Sequence, residues 1–203
     1  MRVSKVSKQD ILEAARLAFQ RHGLRAVRID DLARDLGISK KTLYLHFESK
    51  EALVREVVVN TAEAMFAQVE LNLQQKGSAL HKLEALFSQV QSFVRSLPPG
   101  APLDLARLYP EVLAEVMQRR HHFLTRYLTL IEQGQQAGEI RDDFPPSMLT
   151  QAVLAIVETV GTPAFVERSG LELGDVIQML RAIFLGGLSA RAQEVSSCDA
   201  PPR

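Results

Sequence analysis

Lys40, Lys41, Thr42, Tyr44, His46 and Lys50 crowd into the stretch "GISKKTLYLHFESKE", and what such side chains do together is hold anions. Ammonium groups neutralise phosphates, and hydroxyls donate to phosphate oxygens. At about 100° per residue on a helix, Leu43 and Phe47 share an inner face while Lys41 and Leu45 point away from it, with Thr42 and Tyr44 on the flanks. Seven residues make a rod of roughly 10 Å, short enough to lie across a major groove about 12 Å wide. Lys41 then reaches base edges or phosphate, Thr42 and Tyr44 offer hydroxyls, and the outward Leu45 meets a thymine methyl. Lys50 falls in the first turn of the next helix, where the dipole disfavours a cation unless an anion is bound. Arg28 is placed to do the same from the other side of the groove, whereas His46 lies at the edge of the inner face, as much a packing residue as a contact. The plainer alternative is a set of solubilising charges on a small helical domain.

The whole chain is neutral, but its charge is unevenly spread. Residues 1–55 hold 12 Lys+Arg against 7 Asp+Glu, a net of +5, leaving −5 for the remainder. A basic head on an acidic body fits nucleic-acid binding by the head. The lone cysteine, Cys198, excludes an internal disulfide framework and a cysteine metal cluster. There is no apolar run of membrane-spanning length and no signal peptide, so a cytoplasmic protein is expected. Neither a hydrolase, a phosphate-loop nor a dinucleotide fingerprint occurs, and no enzyme is expected. His121 and His122 are adjacent and diverge by about 100° on a helix, so they cannot share one metal; neither metal nor cofactor is expected.

Periodicity of 3.6 residues recurs throughout, which predicts an all-α chain of about nine helices. The first runs over 8–21, capped by Ser7 with Asp10 in the capping-box position and ended by Gly23. Its apolar stripe is Ile11, Ala14, Ala15, Ala18 and Phe19. A second helix over 30–35 buries Leu32, Ala33 and Leu36, Gly37 breaks it, and Ser39 caps a third over 40–46. Two short helices about a glycine turn make a helix-turn-helix at 28–47. Ser49 caps a fourth helix running to about 75. Further helices are expected over 79–96, 111–137, 147–167 and 173–192, with a short segment before Pro110, together forming one bundle.

The segment "ILEAARLAFQRHGLRAVRIDDLARDLGISKKTLYLHFESKEALVREV" closely resembles the DNA-binding domain of the TetR family of bacterial transcriptional regulators, over residues 5–65. By position, Ser39, Lys40, Lys41, Thr42, Leu43, Tyr44, His46, Phe47 and Lys50 match that family's recognition-helix signature, in which helix residues and the following lysine contact DNA and the phenylalanine packs inward. Two departures stand out. Arg28 replaces the frequent capping Ser or Thr of the second helix, and Lys41 replaces a frequent glycine.

For residues 66–193 the resemblance implies only an architecture, a helical bundle that binds a small effector and dimerises through its last two helices. Adjacent Gly186 and Gly187 in the apolar final helix permit the close helix approach that a dimer needs, and a palindromic operator requires two heads about 34 Å apart. Candidate effector-binding residues are Phe87, Phe93, Tyr109, His121, His122, Phe123, Tyr127, Glu158 and Thr162, aromatic and polar groups of the central helices. Residues 194–203 are expected to be a disordered tail. The reading is a homodimeric, ligand-responsive transcriptional regulator, a repressor of a palindromic operator released by a small apolar or amphipathic effector. Its alternative is a helical small-molecule-binding or scaffolding protein whose helix-turn-helix does not read DNA.

Overall fold

A computed structural model describes residues 6–98, 100–125 and 128–188. Among them the regular elements are helices, eleven in all: α1 (Lys8–Ala26), α2 (Ile29–Asp35), α3 (Lys40–His46), α4 (Lys50–Leu73), α5 (Ala79–Ser96), α6 (Ala101–Leu108), α7 (Pro110–Thr125), α8 (Leu128–Gln136), α9 (Pro146–Val160), α10 (Pro163–Ser169) and α11 (Leu173–Leu188). The all-α expectation holds. The expected tail at 194–203 and Tyr127 lie outside the described residues.

Local chemistry sets the first four boundaries. Ser7 and Asp10 form the reciprocal capping box at the start of α1, satisfying two otherwise free N–H donors. Gly23 interrupts α1 with φ 79° and ψ 162°, a conformation that a side chain would strain. At the end of α2, Gly37 (φ 65°) lets its N–H bond Arg34 O while Ile38 N–H bonds Ala33 O, at 3.0 Å each. That pair of bonds is a Schellman stop, and it turns the chain into α3. Ser39 and Ser49 accept from Thr42 N and Ala52 N, each at 3.0 Å, to cap α3 and α4. Replacing Ser39 by alanine is expected to lower stability by about 1 kcal/mol, measurable as a reduced urea midpoint of the head.

Two cores follow. One gathers Ile11, Ala15, Phe19, Leu32, Leu43, Phe47, Leu53, Val54 and neighbours from α1 to α4. The other lies among α4, α5, α7, α8 and α11, with Val69, Leu83, Phe123, Ile140, Val176 and Leu180 at its centre. The fourth helix belongs to both.

Three boundaries differ from the sequence reading. The helix expected over 147–167 is two helices, α9 and α10, bent by 66° across Gly161 and Thr162. Thr162 caps α10 and Pro163 occupies its first turn, a stop-and-start signal in the Gly161-Thr162-Pro163 sequence that the helical periodicity on either side overrides in a sequence reading. The segment before Pro110 is a full helix, α6, begun after Gly100. The helix expected over 111–137 is described as α7 and α8. No single helix among the described residues is long and apolar enough to cross a membrane.

Candidate nucleic-acid interface

The third helix is anchored from beneath. Leu43 is fully buried and Phe47 nearly so, and Lys8 Nζ sits 5.2 Å from the Phe47 ring centroid while pairing with Glu56 at 2.7 Å. Burying the i and i+4 apolar positions fixes which residues face out. Lys41 is exposed, Tyr44 is 41% exposed and Leu45 77%. That an apolar side chain stands so far into solvent between a lysine and a phenol is consistent with a surface that is covered when it works.

The remaining polar groups are partly committed. The Ser39 and Thr42 hydroxyls lie 2.8 Å apart and bond each other, so they shape the start of α3 as well as facing outward. Lys40 Nζ pairs with Asp30 of α2 at 2.8 Å; the contact holds the Asp30 carboxyl below its usual range and raises the lysine. This exposed pair ties the two helices of the motif together. Arg28 occupies the cap position of α2 without a capping hydrogen bond, and its side chain is exposed. His46 is half-buried at the edge of the inner face.

Lys50 has a role that its sequence position did not reveal. Its Nζ donates to the Arg25 carbonyl at 3.3 Å, just beyond the Gly23 break, and burial lowers its pKa while Asp104 of α6 opposes that shift. A cation at this helix start is therefore held by the end of α1 and by the body. Engaging a phosphate would require it to exchange that carbonyl.

The head is joined to the body along α1, α4 and α6. Leu105 and Tyr109 pack against the head core, and Gln20 Nε2 donates to Ser96 O at 3.4 Å. Arg55 of α4 makes a two-point contact with Glu115 of α7, at 2.7 and 3.0 Å. Arg119 adds bonds to Glu63 and Glu115 at 2.9 and 2.6 Å. A bidentate network of this kind holds α4 against α7 with defined geometry.

Behind the joint lies a cavity of about 330 Å³, within the range of small-molecule sites. Its wall runs from Phe19, Gln20 and Leu24 of α1, through Val57, Thr61, Met65 and Phe66 of α4, to Ile177, Leu180 and Phe184 of α11. Of the residues expected to bind an effector, Phe87, Phe93 and Phe123 line it. Phe123 packs against Phe66 with the rings tilted by 32° and centroids 4.8 Å apart. Tyr109 instead packs on the head core, Glu158 pairs with His121 on the surface, and Thr162 is spent on capping α10; none of the three lines the cavity. The side chain of His122 lies outside the described residues. Sequence reasoning missed the aliphatic wall and Arg120, since polarity and aromaticity were the signals sought and most of the lining is plain Leu, Val and Met.

Comparison with known proteins agrees with this geometry. Residues 11–57 match the profile of "Bacterial regulatory proteins, tetR family". The HTH-type transcriptional regulator UidR of Escherichia coli K12 is 26% identical over 191 residues, covering 89% of this chain and 92% of that protein. A putative transcriptional regulator from Saccharomonospora viridis, solved in complex with choline, superposes with a TM-score of 0.67 at 21% identity, covering 90% of this chain and 97% of that one. FadR from Bacillus subtilis, in complex with stearoyl-CoA, does so with a TM-score of 0.62 at 18% identity, covering 90% and 100%. The matched profile lies over the basic helix-turn-helix, so residues 11–57 match the DNA-binding segment of the TetR family of bacterial regulatory proteins, and the chain as a whole shares the fold of these solved regulators.

Proposed function

We propose that this regulator is a homodimeric repressor that binds a palindromic operator in double-stranded DNA through α3 and is released when a small apolar or amphipathic effector fills the cavity. The observation that carries the reading is the double membership of α4. Val57 is buried in the head core and also lines the cavity, so no spacer separates the DNA-facing unit from the site a ligand would occupy. Phe19 and Leu24 of α1 are shared in the same way.

In this reading Lys41, Tyr44 and Leu45 enter the major groove, Arg28, Lys40 and Thr42 contact flanking phosphates, and Ser39, His46 and Lys50 shape the edges of the contact. A ligand pushes on α4 and α6, and the two heads cease to match successive grooves. It shifts the equilibrium only by its differential affinity for the two arrangements.

The dimer is supported by what α9 and α11 leave uncovered. On α11 the exposed residues Met179, Ala182, Ile183, Gly186 and Gly187 fall on one stripe, and on α9 Met148, Ala152, Ala155, Ile156 and Thr159 do the same. Small and apolar stripes at helical spacing on neighbouring helices suit a self-complementary interface about a two-fold axis.

Binding to a duplex from the chain's own upstream region tests the groove assignment. Lys41→Ala is expected to weaken binding and to reduce the slope of log affinity against log salt by about 1 if Lys41 meets a phosphate. If Lys41 reads a base edge, the loss is concentrated at one position of the site, roughly 1–3 kcal/mol. Affinity unchanged at moderate salt for both Lys41→Ala and Tyr44→Phe would overturn the assignment.

A further inference from the structure

The charged residues in the cavity wall are Arg16 and Arg120; among the described residues no carboxylate joins them. Arg16 is compensated outside the cavity, since its Nε and Nη2 bond the two oxygens of Glu13 at 2.8 and 2.7 Å. Arg120 is not. It sits on α7, facing the bend between α9 and α10, where Nη1 donates to the Gly161 carbonyl at 2.9 Å. Its Nε is buried with no hydrogen-bond partner. The acid whose charge it senses, Glu158, bonds the Nδ1 of His121 on the surface.

Burial is costly for such a group. A desolvated cation is normally paired and its donors satisfied, and here burial lowers the arginine's pKa from its ordinary value without removing the charge at neutral pH. The place for the guanidinium is built by the backbone, because a Cβ on Gly161 would lie 2.8 Å from Arg120 Nη1. A guanidinium whose Nε is unmet offers a carboxylate a charge-assisted contact from a fixed plane, the geometry that guanidinium–carboxylate pairs use. The rest of the wall offers Leu86, Val90, Met117, Val153 and Val157, which suit a hydrocarbon body. A cationic ligand would meet a wall of its own sign.

We infer that the cavity takes an amphipathic carboxylate, whose anionic head pairs with Arg120 beside the α9–α10 bend and whose apolar body lies along α4, α5 and α11. This rests on the cavity being the effector site and adds the charge and orientation of the ligand. It also explains the unmet donor, since the ligand supplies the acceptor that the chain withholds.

Calorimetric titration of the whole 203-residue chain at neutral pH with decanoate and with decanol tests it. Decanoate is expected to bind at least about tenfold more tightly than decanol, the scale of one charge-assisted contact. In Arg120→Met, which keeps an unbranched apolar side chain, decanoate should fall to the level of decanol while decanol binding stays within about twofold. Arg120→Lys should recover part of the preference, because the charge remains and the planar fork does not. Thermal unfolding of the unliganded variants checks that each is folded. Equal affinity for the two probes, or a decanoate preference that survives in folded Arg120→Met, would overturn the inference and leave the cavity as an effector site. Binding of neither probe to the wild-type protein would overturn both.

Discussion

Phe47→Ala is expected to destabilise the head by about 3–5 kcal/mol and to abolish duplex binding while leaving the body helical. The ring is 3% exposed, ends α3, and packs in the core with Leu43, Leu53 and Val54. Its N–H closes the last turn of α3 on the Leu43 carbonyl at 3.1 Å, and the backbone then leaves the helix at φ −138° and ψ 113°. Removing the ring therefore deletes the floor under α3 and the surface against which Lys8 is held. A small domain has only about 5–15 kcal/mol of stability to lose. Circular dichroism with hydrogen exchange resolved by peptide should show protection lost over 8–60 and retained in α5, α8 and α11. Retained protection in the head, or loss throughout the chain, would mean that the two cores are not built as described.

Ile183→Lys is expected to convert a dimer into a monomer at micromolar concentration and to weaken operator binding by roughly 10²–10⁴, the advantage lost when two heads are no longer tethered. Ile183 is 55% exposed in the single chain, so folding of the protomer should be little changed. In a two-fold interface each substitution occurs twice near the axis, and two ammonium groups would be buried against an apolar stripe. Gly186 and Gly187 carry the same test further, since a Cβ at either position meets nothing within 4 Å in the chain itself. Alanine there should leave the protomer intact and loosen only the dimer. Sedimentation equilibrium reads both results, and a dimer unchanged by Ile183→Lys would rule out this face.

The head was legible because its signals are local. Ser7 with Asp10, Gly37, Ser39 and Ser49 each act within four residues of themselves, and their caps and turns appear where their types place them. Leu43 and Phe47 inward and Leu45 outward followed from spacing alone. The body was less legible because its decisive features depend on partners far along the chain. Gly161, Thr162 and Pro163 lie between two stretches of helical periodicity that read as one helix, and it is their roles as C-cap, N-cap and first-turn proline that mark the 66° bend. Tyr109, Glu158 and Thr162 are polar or aromatic on central helices, as pocket residues often are, yet packing sends each elsewhere. Arg120 gave no signal, since an arginine in "QRRHHF" is indistinguishable from a solvated one until Gly161 is brought against it. Lys50 shows the same effect in reverse, its awkward place at a helix start being answered partly by a carbonyl of α1.

In the proposed function two copies of α3 read one face of a duplex. Hydroxyl-radical footprinting of the upstream region tests it most directly. The prediction is two protected stretches related by a two-fold axis, their centres one helical turn apart, about 34–36 Å, or an integral multiple of it. Both should fade together in Ile183→Lys and in Lys41→Ala. A single protected stretch, or protection that persists in both variants, would contradict it.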